Sequence, residues 1–149
     1  MKQTAIIIAT LLLLASCGNG RPNLDDRVFG TWTEDTTDVM YPTQDVITLN
    51  DDGTFTAFYH AYDKEAGYQD INDQGTYTTK DVANPKKWKF GACVVVLESD
   101  YGNDFELEFH FDEDGMGADI TYYEVHTNRD GVRTVDDRKY DFGIYKRKK

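Results

Sequence analysis

The feature that most constrains this chain is a strict alternation of apolar and polar residues between positions 104 and 111. The run Asp-Phe-Glu-Leu-Glu-Phe-His-Phe places its odd-numbered residues on one side of an extended strand and its even-numbered residues on the other. One face of such a strand is buried and the other is wet, which is typical of an antiparallel sheet. The segment therefore predicts a half-buried β-strand.

Similar runs, each short and apolar or alternating, follow one another along the chain after residue 27. They span residues 28–33, 45–49, 54–60, 75–80, 87–90, 92–98, 118–122 and 140–146. Asp-Gly pairs at 52–53, 114–115 and 130–131 offer the positive φ that tight hairpins need. The one stretch that could be helical, 61–73, is short and contains Gly67. We predict an all-β domain of about eight or nine antiparallel strands.

Many short strands joined by hairpins leave sheet edges that must be closed or covered. The meandering order favours a small up-and-down barrel, and a two-sheet sandwich is the alternative. If the apolar parity of each strand points inward, the interior holds Trp32, Ile47, Leu49, Phe55, Tyr77, Trp88, Phe90, Phe105, Leu107, Phe109, Ile120, Tyr122, Phe142 and Ile144.

These residues either fill the barrel completely or line a cup for one small ligand, because a barrel of this size does not comfortably do both. The candidate lining residues of such a cup are Trp32, Phe55, Tyr77, Trp88, Phe109, Tyr122 and Phe142. The segments 34–44 and 61–73 are the candidate loops at its mouth.

The first residues predict export. Lys2 precedes an apolar run at 5–15, which is too short to span a bilayer and is typical of a signal peptide. The following Leu14-Ala15-Ser16-Cys17 resembles the lipobox of bacterial lipoproteins. The resemblance implies cleavage before Cys17, a diacylglycerol on its thiol and an acyl chain on its amine. The alternative is an ordinary secretory signal with a coincidental cysteine.

This resemblance divides the chain into a signal peptide at 1–16, a lipidated tether at 17–27 and a folded domain at 28–149. Two or three acyl chains would anchor the domain durably in a membrane. Gly18 stands where an Asp retains many lipoproteins at the inner membrane, so the resemblance implies the outer membrane of a bacterial cell envelope.

A second resemblance concerns the domain. Gly30-Thr31-Trp32 is similar to the Gly-X-Trp that opens lipocalins, in which the Trp closes one end of the barrel. The segments 49–55 and 74–77, with the basic strand end at 144–147, resemble small lipocalin-like bacterial lipoproteins. No Thr-Asp-Tyr segment of true lipocalins is present, so their usual hydrophobic-ligand function is not carried over by the resemblance.

Charge excludes one class of partner. The chain has 27 acidic and 16 basic residues, a net charge of -11, whereas nucleic-acid binders need a basic face. The basic end at 146–149 either contacts anionic lipid headgroups or is a frayed terminus. No Gly-rich phosphate loop is present, and we predict no cofactor.

Catalytic patterns are weak. Ser99, one of two serines, has no nucleophile motif around it. His110 shares a strand face with Glu106 and Glu108, which suits either a metal site or a solvated face. The acidic turn at 112–115 lacks the Glu that closes a calcium loop. We predict no metal and no enzyme, unless His60 or His126 meets acids in a cleft.

Cys93 lies in the apolar run at 92–97 and is interpreted as a core residue and not a reactive thiol. The leading functional prediction is a lipid-anchored, non-catalytic binding domain for a small apolar ligand. The alternative is a solidly packed accessory protein of the envelope that contacts other proteins through a patch of Val46, Tyr123 and Tyr145.

Overall fold

The computed structural model describes residues 24–35, 44–102, 104–135 and 140–148. The signal peptide at 1–16, Cys17 and the first part of the tether lie outside these residues, as does most of the predicted mouth loop at 34–44. No helix in the described ranges is long and apolar enough to span a lipid bilayer.

Nine strands and two short 3-10 turns make up the described structure, which contains no α-helix. The turns are Asp26–Val28 and Pro85–Lys87. The strands are β1 (Gly30–Glu34), β2 (Val46–Leu49), β3 (Thr54–Asp63), β4 (Gly67–Lys80), β5 (Ala92–Ser99), β6 (Phe105–Phe111), β7 (Gly117–Thr127), β8 (Arg133–Val135) and β9 (Tyr140–Arg147).

The sheet closes on itself. Strands β1 to β7 pair antiparallel in sequence order, β7 pairs with β9, and β9 returns to β1, so eight strands form a closed barrel. The short β8 pairs only with the far end of β7. This arrangement confirms the all-β, lipocalin-like up-and-down barrel and excludes the sandwich.

The predicted hairpin glycines are confirmed, since Gly53, Gly115 and Gly131 all have positive φ between 65° and 85°. The possible helix at 61–73 is wrong, because β3 and β4 form one long hairpin whose turn ends at Gly67. The predicted strand at 87–90 is also wrong. Pro85, which has no N–H for a sheet ladder, starts a 3-10 turn instead, and Phe90 is 40% exposed.

One end of the barrel, called here the closed end, is solidly packed around Trp32. The indole is fully buried, meets Phe109 edge-on at 5.4 Å between ring centroids, and donates from Nε1 to the Val28 carbonyl at 2.7 Å. The Arg147 guanidinium lies 4.8 Å from the Trp32 ring centroid and donates to the Arg27 carbonyl. These contacts tie the start of β1 to the end of β9.

A β-bulge changes which residues of β9 point inward. Ile120 pairs with Gly143 and Thr121 with Asp141, which leaves Phe142 as the extra residue of the bulge. One extra residue exchanges the two faces of everything that follows it. Tyr145 is therefore fully buried and Ile144 is 56% exposed, which corrects the predicted inward Ile144 and solvent-facing Tyr145.

Two neighbouring substitutions test this register. Tyr145→Ala removes a fully buried ring, so we expect the free energy of unfolding to fall by about 3–5 kcal/mol. Ile144→Thr alters an exposed side chain and should change it by no more than about 0.5 kcal/mol. Urea denaturation followed by circular dichroism measures both. A larger loss for Ile144→Thr would contradict the bulge.

Candidate functional site

The other end of the barrel is hollow. A cavity of about 480 Å³, called here the cup, lies toward the end where β3 finishes and β4 begins. This volume is within the range of small-molecule sites in proteins. Its lining residues come from six strands, β2 to β7, and the residue before β2: Asp45, Val46, Ile47, Phe55, Ala57, Phe58, Tyr59, His60, Ala61, Asp73, Leu97, Phe105, Leu107, Tyr122 and Glu124.

Small residues on β3 leave this space unfilled. Ala57 and Ala61 lie four residues apart on the same face of the strand, one on each side of Tyr59, and both line the cup. The inner wall consists of the buried apolar side chains Phe55, Leu97 and Leu107. The barrel is thus packed at one end and hollow at the other. The predicted filled interior describes the closed end, and the predicted cup describes the opposite end.

Three aromatic rings stand together in the wall of the cup. Tyr59 meets Phe105 edge-on at 6.0 Å between ring centroids, and Phe105 lies 5.2 Å from Tyr122. Edge-on and tilted contacts of this kind hold rings in fixed orientations. The wall can therefore present both ring faces and phenol hydroxyl groups to an occupant.

A carboxylate is buried in the same wall. Asp73 is only 4% exposed and lies opposite Ala57 in the β3–β4 ladder. Its Oδ1 accepts hydrogen bonds from the Ser99 hydroxyl at 2.6 Å and the Gln74 backbone N–H at 2.7 Å. Its Oδ2 is buried and has no hydrogen-bond partner within the described structure.

The protonation of Tyr59 reflects this environment. Burial, together with the negative charge of Asp73 and a hydrogen bond to its carboxylate, raises the pKa of the phenol to about 12. The phenol is therefore neutral at physiological pH and keeps its O–H as a donor toward the acidic wall.

His60 stands at the rim between two acids. Its Nδ1 lies 2.8 Å from Asp45 Oδ1, and its Nε2 lies 3.3 Å from Asp70. Asp45 also accepts from the His60 backbone N–H at 3.1 Å. His60 therefore does meet acidic residues at the cup, which is the condition given above for an enzyme. Both nitrogens of its ring, however, already face carboxylates.

Of the seven predicted lining residues, two line the cup, three lie in the buried core, one has a side chain outside the described structure, and one, Trp88, lies outside the barrel. Phe55 and Tyr122 line the cup. Trp32, Tyr77 and Phe109 belong to the buried core but not to the lining. Phe142 is in β9, and its side chain lies outside the described structure.

The prediction for Trp88 is corrected, because the segment between β4 and β5 folds over the outside of the barrel. Trp88 packs there against a small apolar cluster of Val82, Ala92 and Val94 and stacks on His110 at 3.5 Å between ring centroids. Cys93, on the opposite face of β5, is a free, buried thiol as predicted, and burial raises its pKa to about 12.

The sequence analysis missed Tyr59 and Asp73, although the pattern contained them. Both lie at even spacing from residues predicted to point inward, Phe55 on β3 and Tyr77 on β4. The parity of the predicted strand at 54–60 already points Tyr59 inward, and continuing the parity of the strand at 75–80 by two residues before its start would have placed Asp73 in the interior as well. Within the described ranges, no group of three or more His, Cys, Asp and Glu residues is arranged to hold a metal ion.

The Tyr59 pKa makes stability depend on pH. The folded protein keeps the phenol proton up to about pH 12, whereas the unfolded chain loses it near 10.0, so stability falls as pH rises through this interval. We expect Tyr59→Phe to lose less stability than the parent protein over the same interval, measured by urea denaturation at stepped pH. Tyr101→Phe, at a ring that is 67% exposed, is the control for removing one phenol. An equal or steeper loss in Tyr59→Phe would contradict the assignment.

No protein-family model matches this chain, nor does any curated protein sequence or any solved structure.

Proposed function

We propose that this chain is a lipid-anchored lipoprotein of the bacterial cell envelope, at the outer membrane, whose barrel binds a small and largely apolar ligand without transforming it. The observation that carries the proposal is the cup of about 480 Å³ with an apolar and aromatic inner wall.

A cavity of this size has a thermodynamic cost. Protein interiors are close-packed, and each wall atom that faces empty space loses its dispersion contacts. Phe55 and Leu107 are 1% and 2% exposed, yet both border the cup. An apolar occupant restores the contacts that these side chains lack, which supports binding as the role of the space.

The position where the tether joins the barrel supports exchange of the ligand between the cup and the aqueous compartment. Leu24 packs against the core, and the Asp25 N–H donates to Thr79 near the end of β4, at the closed end of the barrel. A tether from Cys17 therefore joins the domain at the closed end. The cup lies at the opposite end and, under this proposal, faces away from the membrane.

The rim supports binding over catalysis. Both ring nitrogens of His60 face the carboxylates of Asp45 and Asp70, so the imidazole is held in place and not directed at an occupant. The alternative of an accessory protein acting through Val46, Tyr123 and Tyr145 loses its patch, because Tyr145 is fully buried.

Filling the cup tests the binding function. We expect 1-naphthylmethanol, a neutral aromatic probe, to bind the full chain in phosphatidylcholine nanodiscs by isothermal titration calorimetry, with empty nanodiscs subtracted. Ala57→Phe places a ring in the cup and should weaken binding about ten-fold or more, that is by about 1.4 kcal/mol.

Ala83→Phe adds the same ring at an exposed position outside the cup and serves as the matched control. Its affinity for the probe should equal that of the parent chain. Absence of binding to the parent, or equal binding to Ala57→Phe, would contradict the proposed function.

A separate measurement tests the anchor. We expect mass spectrometry of the protein from its own membranes to show an N-terminus at Cys17 carrying a diacylglycerol and an amide-linked acyl chain. Cys17→Ser should lose these groups and leave the membrane fraction, because stable attachment to a bilayer takes at least two lipid chains or an equivalent second signal. An unmodified Cys17 in the membrane-bound parent would refute the lipid anchor, but it would not bear on ligand binding in the cup.

A further inference from the structure

We propose that the cup selects organic cations, and that Asp73 receives the ammonium group of an amine whose apolar or aromatic body fills the rest of the space. The inference rests on the proposed binding function and adds the chemical class of the ligand. It follows from one buried carboxylate without a basic neighbour in the lining, three aromatic rings and the charge of the lining.

The Asp73 carboxylate is held in position by hydrogen bonds, but no basic residue among the described lining residues offsets its charge. The Ser99 hydroxyl and the Gln74 N–H fix Oδ1, and the Tyr59 hydroxyl also interacts with the carboxylate, whereas Oδ2 is buried in the wall and no basic residue lines the cup to offset the charge. A buried polar oxygen without a partner is costly, and a buried negative charge is more so. An ammonium group in the cup beside Asp73 supplies the opposite charge that this buried carboxylate lacks.

The aromatic wall suits the same ligand. Tyr59, Phe105 and Tyr122 form a connected set of rings in the lining that also contains Asp73. The face of an aromatic ring attracts a cation, more strongly where water is excluded. An ammonium group between a carboxylate and ring faces is therefore stabilised from several sides.

The remaining charges of the lining have the same sign. Asp45 and Glu124 join Asp73, and none of the described lining residues is Lys or Arg. His60 at the rim lies between the carboxylates of Asp45 and Asp70, so acidic groups outnumber it there. With a net charge of -11, the whole chain also concentrates cations at its surface.

The same features act against anions. A fatty-acid carboxylate of suitable length would fit the apolar walls, but it would lie beside Asp73 with no basic residue to neutralise it. Specificity then comes from repulsion as well as attraction, which separates this cup from a general hydrophobic site.

Three probes with one ring system test the inference on the unchanged protein. They are 1-naphthylmethylamine, 1-naphthylmethanol and 1-naphthoate, which at pH 7 are cationic, neutral and anionic. Calorimetry with the full chain in phosphatidylcholine nanodiscs should give a Kd for the amine about ten-fold or more below that of the alcohol. The naphthoate should bind more weakly than the alcohol.

Asp73→Asn keeps an oxygen for Ser99 and Gln74 while removing the charge. We expect the amine to lose its advantage over the alcohol, and the Kd of the alcohol to stay within about two-fold, because only the charged contact is removed. Asp119→Asn removes one negative charge from an exposed position on β7 outside the cup, and it should keep the full preference for the amine.

The outcomes separate the two proposals. If neither the alcohol nor the amine binds the parent chain, the binding function itself is overturned. If the alcohol binds and the amine binds no more tightly, or if the preference for the amine survives Asp73→Asn, the binding function stands and the cation selectivity is overturned. Because the probe series needs no variant, a folding defect in Asp73→Asn does not remove the test.

Discussion

The pairing of β9 with β1 is the constraint on which the rest of this molecule depends. Hydrogen bonds along Trp32, Thr33 and Glu34 close the sheet and remove its free edges. Closure with eight strands fixes an interior volume that side chains must fill or leave open. The same seam brings Arg147 over Trp32, so the contact that closes the sheet also packs one end of the barrel. The space that this packing does not reach is the cup.

Most of the fold follows from local patterns. The alternation at 105–111 and the glycines of the Asp-Gly turns specify strands and hairpins without reference to distant residues, and the structure has both. The bulge at Phe142 is different, because the strand opposite it decides whether one residue is left over. A single strand read alone assigns Ile144 and Tyr145 to the wrong faces for this reason. The segment at 87–90 fails for another reason: Pro85 outweighs the alternation that follows it.

The cup was less accessible to sequence reasoning than the fold. Composition shows enough large apolar residues to fill a small barrel, but not that Trp32 and Phe109 share one end while Ala57 and Ala61 lie toward the other. That distribution depends on strand register and length, above all on the extension of β3 and β4 beyond their predicted ends. Asp73 is one of 27 acidic residues, and only its burial distinguishes it from the solvated ones.

Stability and selectivity are linked at Asp73. An apolar residue opposite Ala57 would remove a buried carboxylate that no basic residue of the lining neutralises, and would be expected to favour the empty barrel. The protein instead holds the carboxylate in a fixed orientation through Ser99 and Gln74, so a cationic ligand meets a negative charge that is already in place. The empty barrel lacks a favourable partner for the charge of Asp73, and only a ligand of the opposite charge provides that interaction. An interior that is imperfect when empty is therefore the physical basis on which such a cup can tell an amine from an alcohol of the same shape.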